Sequence, residues 1–389
     1  MKTQGSARDR HDAQMIGLDA ARFLAAMLVM TFHLGAYAWQ APLSTAGRAF
    51  DSAAAYPELF AWTWFGWIGV ELFFVISGFV IAYSAEHATA RTFLRSRLLR
   101  LVPAVWICAT LTALVSLAIG RMGSVRQVLR AYLDCVLFVP VAPWLDGVYW
   151  TLGVEIAFYG LVFALLRLGR FRSIGPVCAA VGGASTLFWL ATLAVPNLAD
   201  LAATRLAELT LLRHGCLFAL GVFLWLALVK GPTTGRLCVI ALCAVGALVE
   251  IGDAARSFLF QMGRSGAPLL PRLAFAGCVL MIVASVRGNA WLRARLGDRG
   301  CALARRLGLI TYPLYLLHNV NGAALIHRLV DAGVPPYTAL VAACGAMLLL
   351  SYTLMRWAEP FVRARLSATL DRVGLDRPLL AERRTAPGL

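Results

Sequence analysis

The stretch GLDAARFLAAMLVMTFHLGAYAW, residues 17–39, decides the architecture that the rest of the chain must have. It is long and apolar enough for a membrane-spanning helix, yet it contains Arg22 and His33. Because a helix rises about 1.5 Å per residue, these two side chains lie roughly 16 Å apart along its axis. Ionisable groups at such depth are costly and usually face a polar cavity inside a helix bundle. We therefore expect Arg22 and His33 to be the two ends of one buried site.

The composition extends this prediction to the whole chain. Hydrophobic residues make up 60% of the 389 residues and charged residues only 14%, whereas soluble domains are about half apolar. The apolar runs predict an all-α polytopic membrane bundle of about ten transmembrane helices, with both termini in the cytoplasm. The predicted transmembrane domain covers residues 14–357, between a cytoplasmic tail at residues 1–13 and a second one at residues 358–389.

The formal net charge is +16, and the basic residues are dispersed between the apolar runs rather than grouped on one soluble face. This distribution is typical of the positive-inside rule, in which arginines mark cytoplasmic loops and contact anionic lipid. We therefore expect membrane lipids as partners and no nucleic acid. Residues 120–146, which carry Arg121, Arg126 and Arg130 on the expected outer side, are interpreted as a partly interfacial or re-entrant segment.

The nine cysteines are scattered, and most of them lie in apolar runs. No CxxC pair and no Cys/His ligand spacing occurs in the sequence. A cysteine within an apolar run behaves as a small hydrophobic residue. The sequence therefore predicts neither a disulfide framework nor a metal site.

Three further ionisable residues lie inside predicted spans: Glu71, Glu155 and His318. Counted at about 1.5 Å per residue, they fall near the middle of their helices, within one or two turns of the level of His33. One interpretation is structural, in which each histidine pairs with a glutamate in a buried hydrogen bond that fixes helix packing. The other is a reaction or transport site in which a carboxylate orients His33 as a general base. For the whole set together with Arg22, we favour the second interpretation.

Arg97 and Arg100 stand where FLRSRLLRLVP runs into the third predicted span. Their spacing places them on one face of a helix. Such residues can be topogenic positive charge, but guanidinium groups at a helix mouth also bind phosphate well. With Arg22 just inside the bundle, we interpret the three arginines as a phosphate-binding entrance.

Five stretches, in order along most of the chain, resemble the acyltransferase 3 family of membrane proteins, which O-acylate surface and exported polysaccharides. They are RFLAAMLVMTFH, GVELFFVISGF, FLRSRLLRLVPAVW, WTLGVEIAFY and TYPLYLLHN. Arg22 and His33 match the paired Arg and His of the family's first helix. Arg97 and Arg100 match its R-x-x-R motif, whereas Pro313 stands where the family more often has serine. Within the family, the chain looks most similar to exopolysaccharide-modifying members.

The resemblance implies a bundle in a bacterial cytoplasmic membrane that takes acyl-coenzyme A, most often acetyl-coenzyme A, from the cytosol as its co-substrate. The acyl group would pass to a hydroxyl of a carbohydrate or lipid-linked glycan at the outer face. The three arginines would hold the coenzyme A phosphates. His33 would act as general base or as transient acyl carrier, with one of the two glutamates orienting it, and His318 would contact the acceptor or the thioester.

An alternative from another class is a proton-coupled transporter or flippase of a glycan or lipid-linked precursor, since midplane His and Glu residues also serve proton relays. The hydropathy pattern and the motifs contain no internal repeat, whereas repeats are frequent in transporter folds. A polysaccharide polymerase or lipid-linked glycosyltransferase would need a nucleotide-sugar site or a large outer loop, and neither is evident in the sequence. The sequence therefore favours acyl transfer.

Overall fold

The computed structural model describes residues 15–195 and 197–374, and in that part of the chain it contains helices and no β-strand. Within these residues, eight helices are long and apolar enough to cross a membrane. A shorter apolar helix, Gly215–Val229, and the buried half of Asn289–Asp331 add to the bundle. The predicted polytopic all-α bundle is therefore confirmed, with a helix at each predicted span. The predicted tail at residues 1–13 lies outside the described residues.

The helices are numbered here in chain order. They are α1 Ile16–Gln40, α2 Thr45–Phe50, α3 Pro57–Ala85, α4 Ala90–Ile119, α5 Val125–Val136, α6 Gly147–Arg167, α7 Phe171–Ala194, α8 Leu198–Ala202, α9 Arg205–Leu209, α10 Gly215–Val229, α11 Thr234–Gln261, α12 Leu269–Arg287, α13 Asn289–Asp331 and α14 Pro336–Arg372. Two of them contain a π turn, at His33–Tyr37 in α1 and at Leu354–Ala358 in α14. Helix α13 is broken at Gly297, whose φ of 61° is a conformation that glycine adopts readily.

Helices α1, α3, α10 and α13 form the centre of the bundle, with α3 packed on α10 and α1 packed on α13. Small residues allow the closest of these approaches. A Cβ atom at Gly78 of α3 would overlap the backbone carbonyl of Phe218, and one at Gly221 of α10 would overlap the carbonyl of Val75. Glycines at such crossings are typical of membrane helices, which associate through close backbone packing.

The last helix continues beyond the predicted end of the last span. Helix α14 reaches Arg372, and its extension packs against α4. The guanidinium of Arg95 on α4 donates hydrogen bonds to Ser367 (2.7 Å) and Asp371 (2.8 Å) of the extension. The first part of the predicted C-terminal tail is thus helical, and residues 375–389 lie outside the described residues.

Residues 120–146 return toward the middle of the bundle after α4 ends. Helix α5 runs antiparallel to α4, because the indole of Trp106 donates to the carbonyl of Val136 (3.0 Å) and the hydroxyls of Thr110 and Tyr132 lie 3.2 Å apart. Residues 120–146 therefore turn back along α4, and their re-entry into the membrane stays a prediction.

Helix α6 consequently begins inside the bundle. The backbone N–H of Gly147 donates to the Thr45 hydroxyl (3.1 Å), and the hydroxyl of Tyr315 on α13 donates to the carbonyl of Val148 (3.2 Å). The first turn of α6 therefore lies beside the middle of α13, and this position decides where the polar side chains of α6 lie.

Two of the three arginines that interrupt the predicted charge pattern have acidic partners. Arg121 pairs with Asp51 (2.9 Å) and also donates to Nε2 of His327 (2.7 Å), and Arg130 lies 3.9 Å from Asp134. Their charges are thus balanced locally by carboxylates of the same region.

Candidate functional site

His33 and His318 meet at the centre of the bundle. His33 opens the π turn of α1, His318 lies in the buried half of α13, and Nδ1 of His33 is 2.9 Å from Nε2 of His318. His318 is 0% exposed, whereas His33 is half-buried. The partner of His33 is therefore a histidine, and the predicted carboxylate partner is wrong.

Backbone carbonyls decide which nitrogens of the two rings carry protons. Nδ1 of His318 is 3.0 Å from the carbonyl of Leu314, which can only accept, so a neutral His318 presents an unprotonated Nε2. Nδ1 of His33 is 3.0 Å from the carbonyl of Val29 and donates to that oxygen and to Nε2 of His318. Nε2 of His33 is then the unprotonated nitrogen, which can accept a proton or attack an acyl carbon.

Aromatic rings hold the His33 imidazole in place. The ring of Phe32 lies 5.0 Å from it, and the ring of Tyr37, at the other end of the π turn, lies 5.9 Å away in an edge-on arrangement. A π turn is a rare feature that occurs frequently at functional sites. The local backbone of α1 thus fits the expectation that His33 is functional.

A cavity lies inside the bundle at the arginine end of α1. Its walls come from α1, α3, α4, α6 and α13. Neither His33 nor His318 lines this cavity, but Tyr315 does, and its ring lies 6.0 Å from the ring of His318. The polar and charged side chains of the lining include Arg22, Ser77, Arg100, Glu155, Tyr312 and Tyr315.

Glu155 belongs to this cavity and not to the histidine pair. Its carboxylate accepts hydrogen bonds from the hydroxyls of Ser77 (3.2 Å) and Tyr159 (2.5 Å). The predicted pairing of Glu155 with a histidine is therefore wrong. The physical reason is the start of α6 inside the bundle, which moves Glu155 about two helical turns away from the level of His318.

Glu71 faces a different buried cluster, on the side of α10 and α11. It is 6% exposed and lies within electrostatic range of Glu250 and Arg213. Nδ1 of His214 is 2.5 Å from Glu250, and the thiol of Cys216 donates to the same carboxylate (3.4 Å). The predicted role of Glu71 in orienting His33 is thus wrong. The isolated Glu250 within an apolar run, and Arg213 and His214 at the start of another, are the signals of this cluster in the sequence.

The two arginines of the R-x-x-R pair have different surroundings. Arg100 lines the cavity, whereas Arg97 donates to the hydroxyl of Ser84 (2.7 Å) and lies over the rings of Phe93 (5.0 Å) and Tyr159 (5.5 Å). Arg97 lines a separate, apolar groove with these two rings. Of this pair, only Arg100 shares a cavity with the arginine of α1.

A family model described as an acyltransferase domain, that of acyltransferase 3, matches residues 15–356. The chain belongs to the acyltransferase 3 family. It is therefore a multi-pass membrane acyltransferase. The comparisons with curated proteins and with solved structures gave no match.

In this acyltransferase, Asp146 connects the loop before α6 with α13, beside His318. Its carboxylate is 0% exposed and accepts hydrogen bonds from the amide of Asn319 (2.5 Å) and from the backbone N–H groups of Val320 (3.0 Å) and Val148 (3.2 Å). The loop before α6 is thereby fixed to the turn of α13 that carries His318. An aspartate in a connecting segment gives no signal of such a role in the sequence.

The cysteines of this acyltransferase are free thiols, and most of them are buried. Among the described residues, no group of three His, Cys, Asp or Glu side chains has the arrangement of a metal site.

Proposed function

We propose that the protein transfers an acyl group, most often acetyl, from cytosolic acyl-coenzyme A to a hydroxyl of a surface or exported carbohydrate across a bacterial inner membrane. The observation that carries the proposal is the cavity lined by Arg22, Arg100 and Tyr315, because the Tyr315 ring lies beside His318, the partner of His33. Its charged end suits phosphate groups, and its largely apolar remainder suits an extended pantetheine arm.

The donor would be held at the arginine end. Arg22 lies 3.6 Å from Asp19, while Arg100 has no ion pair within the described residues and is available to a phosphate. Arg97, one turn earlier on α4, would guide the donor from the cytosol toward this end. When bound, acyl-coenzyme A supplies the activated acyl carbon as a thioester.

His33 would act as the base. Nε2 of His33 takes the proton of the acceptor hydroxyl while the hydroxyl oxygen forms a bond to the acyl carbon and the carbon–sulfur bond breaks. The proton then passes from His33 to the leaving thiolate, which restores the neutral imidazole. In the covalent variant, Nε2 attacks the acyl carbon, the carbon–sulfur bond breaks and the thiolate leaves; the acceptor hydroxyl oxygen then bonds to the acyl carbon as the nitrogen–carbon bond breaks, and the hydroxyl proton passes to the thiolate. His318 is the positioning residue in both, because it holds Nδ1 of His33.

The two glutamates would have supporting roles. Glu155 fixes the hydroxyls of Ser77 and Tyr159 in the cavity wall and balances part of the arginine charge. Glu71 is buried within electrostatic range of Glu250 and Arg213, away from the histidine pair. Neither carboxylate is required to touch the reacting atoms.

The test is acyl transfer by the purified protein in liposomes, with radiolabelled acetyl-coenzyme A and a bacterial surface glycan. We expect label in the glycan, and a loss of kcat of about 10²- to 10⁴-fold in His33→Ala. His87→Ala is the matched control, because the side chain of His87 is 90% exposed. Uptake of unmodified glycan into the vesicles without labelling would instead indicate a transporter, and a fully active His33→Ala protein would exclude the proposed base.

A further inference from the structure

The end of α1 beyond His33 carries polar side chains that the proposed reaction does not use. The hydroxyl of Tyr37 donates to Oε1 of Gln261 (2.6 Å), and Nε of Arg264 donates to Oε1 of Gln40 (2.8 Å). These bonds connect the end of α1 with the end of α11 and the loop that follows it. Nε2 of Gln40 is buried and has no hydrogen-bond partner in the described part of the chain.

Arg264 is held in a defined place by the turn that ends α11. Gly263 adopts a φ of 65°, and the backbone N–H of Arg264 reaches back to the carbonyl of Leu259 (2.8 Å), as in a Schellman motif. The guanidinium then lies 4.0 Å from the centre of the Phe60 ring. The exposed Arg264 is thus fixed by its backbone, by a ring and by Gln40.

The terminal nitrogens of Arg264 remain available. Its hydrogen bond to Gln40 uses Nε alone, and no carboxylate lies within ion-pair distance of it among the described residues. A purely structural tie between α1 and α11 needs only the Nε bond and the contact with Phe60. A guanidinium with two unengaged terminal groups matches the two oxygens of a carboxylate or phosphate.

The distance to the proposed base suits an extended acceptor. Gln40 follows His33 by seven residues, which corresponds to roughly 10 Å along α1. The ring of Tyr37 lies between them, 5.9 Å from the His33 ring. Arg264, which bonds to Gln40 and is exposed, therefore stands about this far beyond the imidazole, where its guanidinium can bind one negative charge of a ligand whose hydroxyl lies at His33.

We propose that Arg264, with Gln40 and Tyr37, is a subsite for a negatively charged group of the acceptor, and that the acceptor is an acidic carbohydrate. The charge is a carboxylate of a sugar or a phosphate on the glycan. This inference rests on the proposed function, because it takes the acceptor hydroxyl to be at His33.

The experiment compares acceptors that differ only in charge: a carboxylated oligosaccharide with its methyl ester, and a phosphorylated oligosaccharide with its dephosphorylated form. In Arg264→Gln, we expect the KM for the acidic acceptor that the enzyme prefers to rise about tenfold or more. The KM for its neutral counterpart, the KM for acetyl-coenzyme A and kcat should stay unchanged. The acidic acceptor that shows the effect identifies the source of the charge.

Arg256→Gln is the matched control, because it removes a positive charge from α11 at a residue that is paired with Asp253 (3.4 Å). Arg264→Lys keeps the positive charge but loses the two parallel N–H donors of the guanidinium. Its KM for the acidic acceptor should therefore lie between those of the wild type and Arg264→Gln. Equal KM values of Arg264→Gln and wild type for both acidic acceptors, or an equal rise for the neutral ones, would overturn the subsite.

Failure of the proposed function gives a different result, since the wild-type protein would then transfer label to none of the four acceptors. In that case, equilibrium binding of the fluorescent acidic oligosaccharides decides the inference without any reaction. Weaker binding to Arg264→Gln than to wild type and Arg256→Gln would support the subsite, and equal binding would contradict it.

Discussion

At the scale of the residue, a neutral histidine stands where a catalytic histidine more often has a carboxylate. A carboxylate beside His33 would stabilise the imidazolium more strongly, but an ionised acid in the middle of a membrane protein is costly. His318 avoids this cost, because its Nε2 accepts from His33 while its own Nδ1–H donates to the carbonyl of Leu314. The pair therefore fixes the tautomer of His33 without adding charge.

The role of His318 can be tested by a variant and its conservative partner. His318→Ala removes the acceptor of the His33 Nδ1–H, and we expect kcat to fall about 10- to 100-fold with little change in KM. In His318→Gln, the amide oxygen can accept the hydrogen bond from Nδ1 of His33, so kcat should be higher than in His318→Ala. Steady-state kinetics of acyl transfer provide the measurement.

The control for general damage to α13 is Asn321→Ala, which also removes a buried hydrogen bond, to Thr112 (2.8 Å), but does not touch the histidine pair. If Asn321→Ala lowered kcat as much as His318→Ala, or if His318→Gln recovered nothing, the positioning role would be contradicted.

At the scale of the element, the return of residues 120–146 into the bundle places a connecting segment beside the site. This position exposes backbone groups to an apolar interior, where each of them needs a partner. Asp146 provides acceptors for three N–H groups at once, and the hydroxyl of Tyr315 satisfies the carbonyl of Val148. A single carboxylate thus allows α6 to start at the level of His318.

Asp146→Ala leaves the amide of Asn319 and the N–H groups of Val320 and Val148 without this acceptor. At about 1–3 kcal/mol for each buried donor, we expect the free energy of unfolding to fall by about 3 kcal/mol or more. Asp146→Asn keeps one acceptor oxygen, so its free energy of unfolding should fall by less than that of Asp146→Ala. Thermal unfolding in detergent, followed by circular dichroism, measures both variants.

Asp134→Ala is the comparison, because its carboxylate lies on α5 in a long contact with Arg130 (3.9 Å), and such pairs contribute about 0–1 kcal/mol. Equal unfolding temperatures for Asp146→Ala and Asp134→Ala would show that the loop before α6 does not depend on Asp146.

At the scale of the whole molecule, the proposed reaction requires the donor to enter from the cytoplasmic side and the acceptor from the outer side, and this orientation is itself testable. Arg126, after the end of α4, is exposed on the expected outer side, and Arg170, after α6, is exposed on the expected cytoplasmic side. Cys238 is the one exposed cysteine among the nine. Its replacement by alanine therefore gives a suitable background for labelling an added cysteine.

In that background, we expect Arg126→Cys to react with a membrane-impermeant maleimide on intact cells. Arg170→Cys should react only after the membrane is opened, because the positive-inside rule assigns it to the cytoplasm. Labelling of both residues, or of Arg170→Cys alone, on intact cells would contradict the proposed orientation. The Cys238→Ala protein without an added cysteine measures the background.

The sequence predicted those features that depend on local pattern. Apolar runs predicted the helices, and the polar residues Arg22 and His33 within one run predicted a buried site. The partner of His33 comes from a residue 285 positions away, and no local pattern can show that contact. The predicted depth of Glu155 was wrong for another reason. Counting residues to obtain a depth assumes that each helix begins at a membrane surface, whereas α6 begins inside the bundle.

The π turn at His33–Tyr37 has a consequence for how this enzyme can diversify. A π turn holds one residue more than an α turn, so the loss of one residue there would rotate the following part of α1 by roughly 100°. Tyr37 and Gln40 would then point elsewhere, while Arg22, on the other side of the turn, would stay as it is. Descendants could thus adopt new acceptors by a single-codon deletion and keep the same donor.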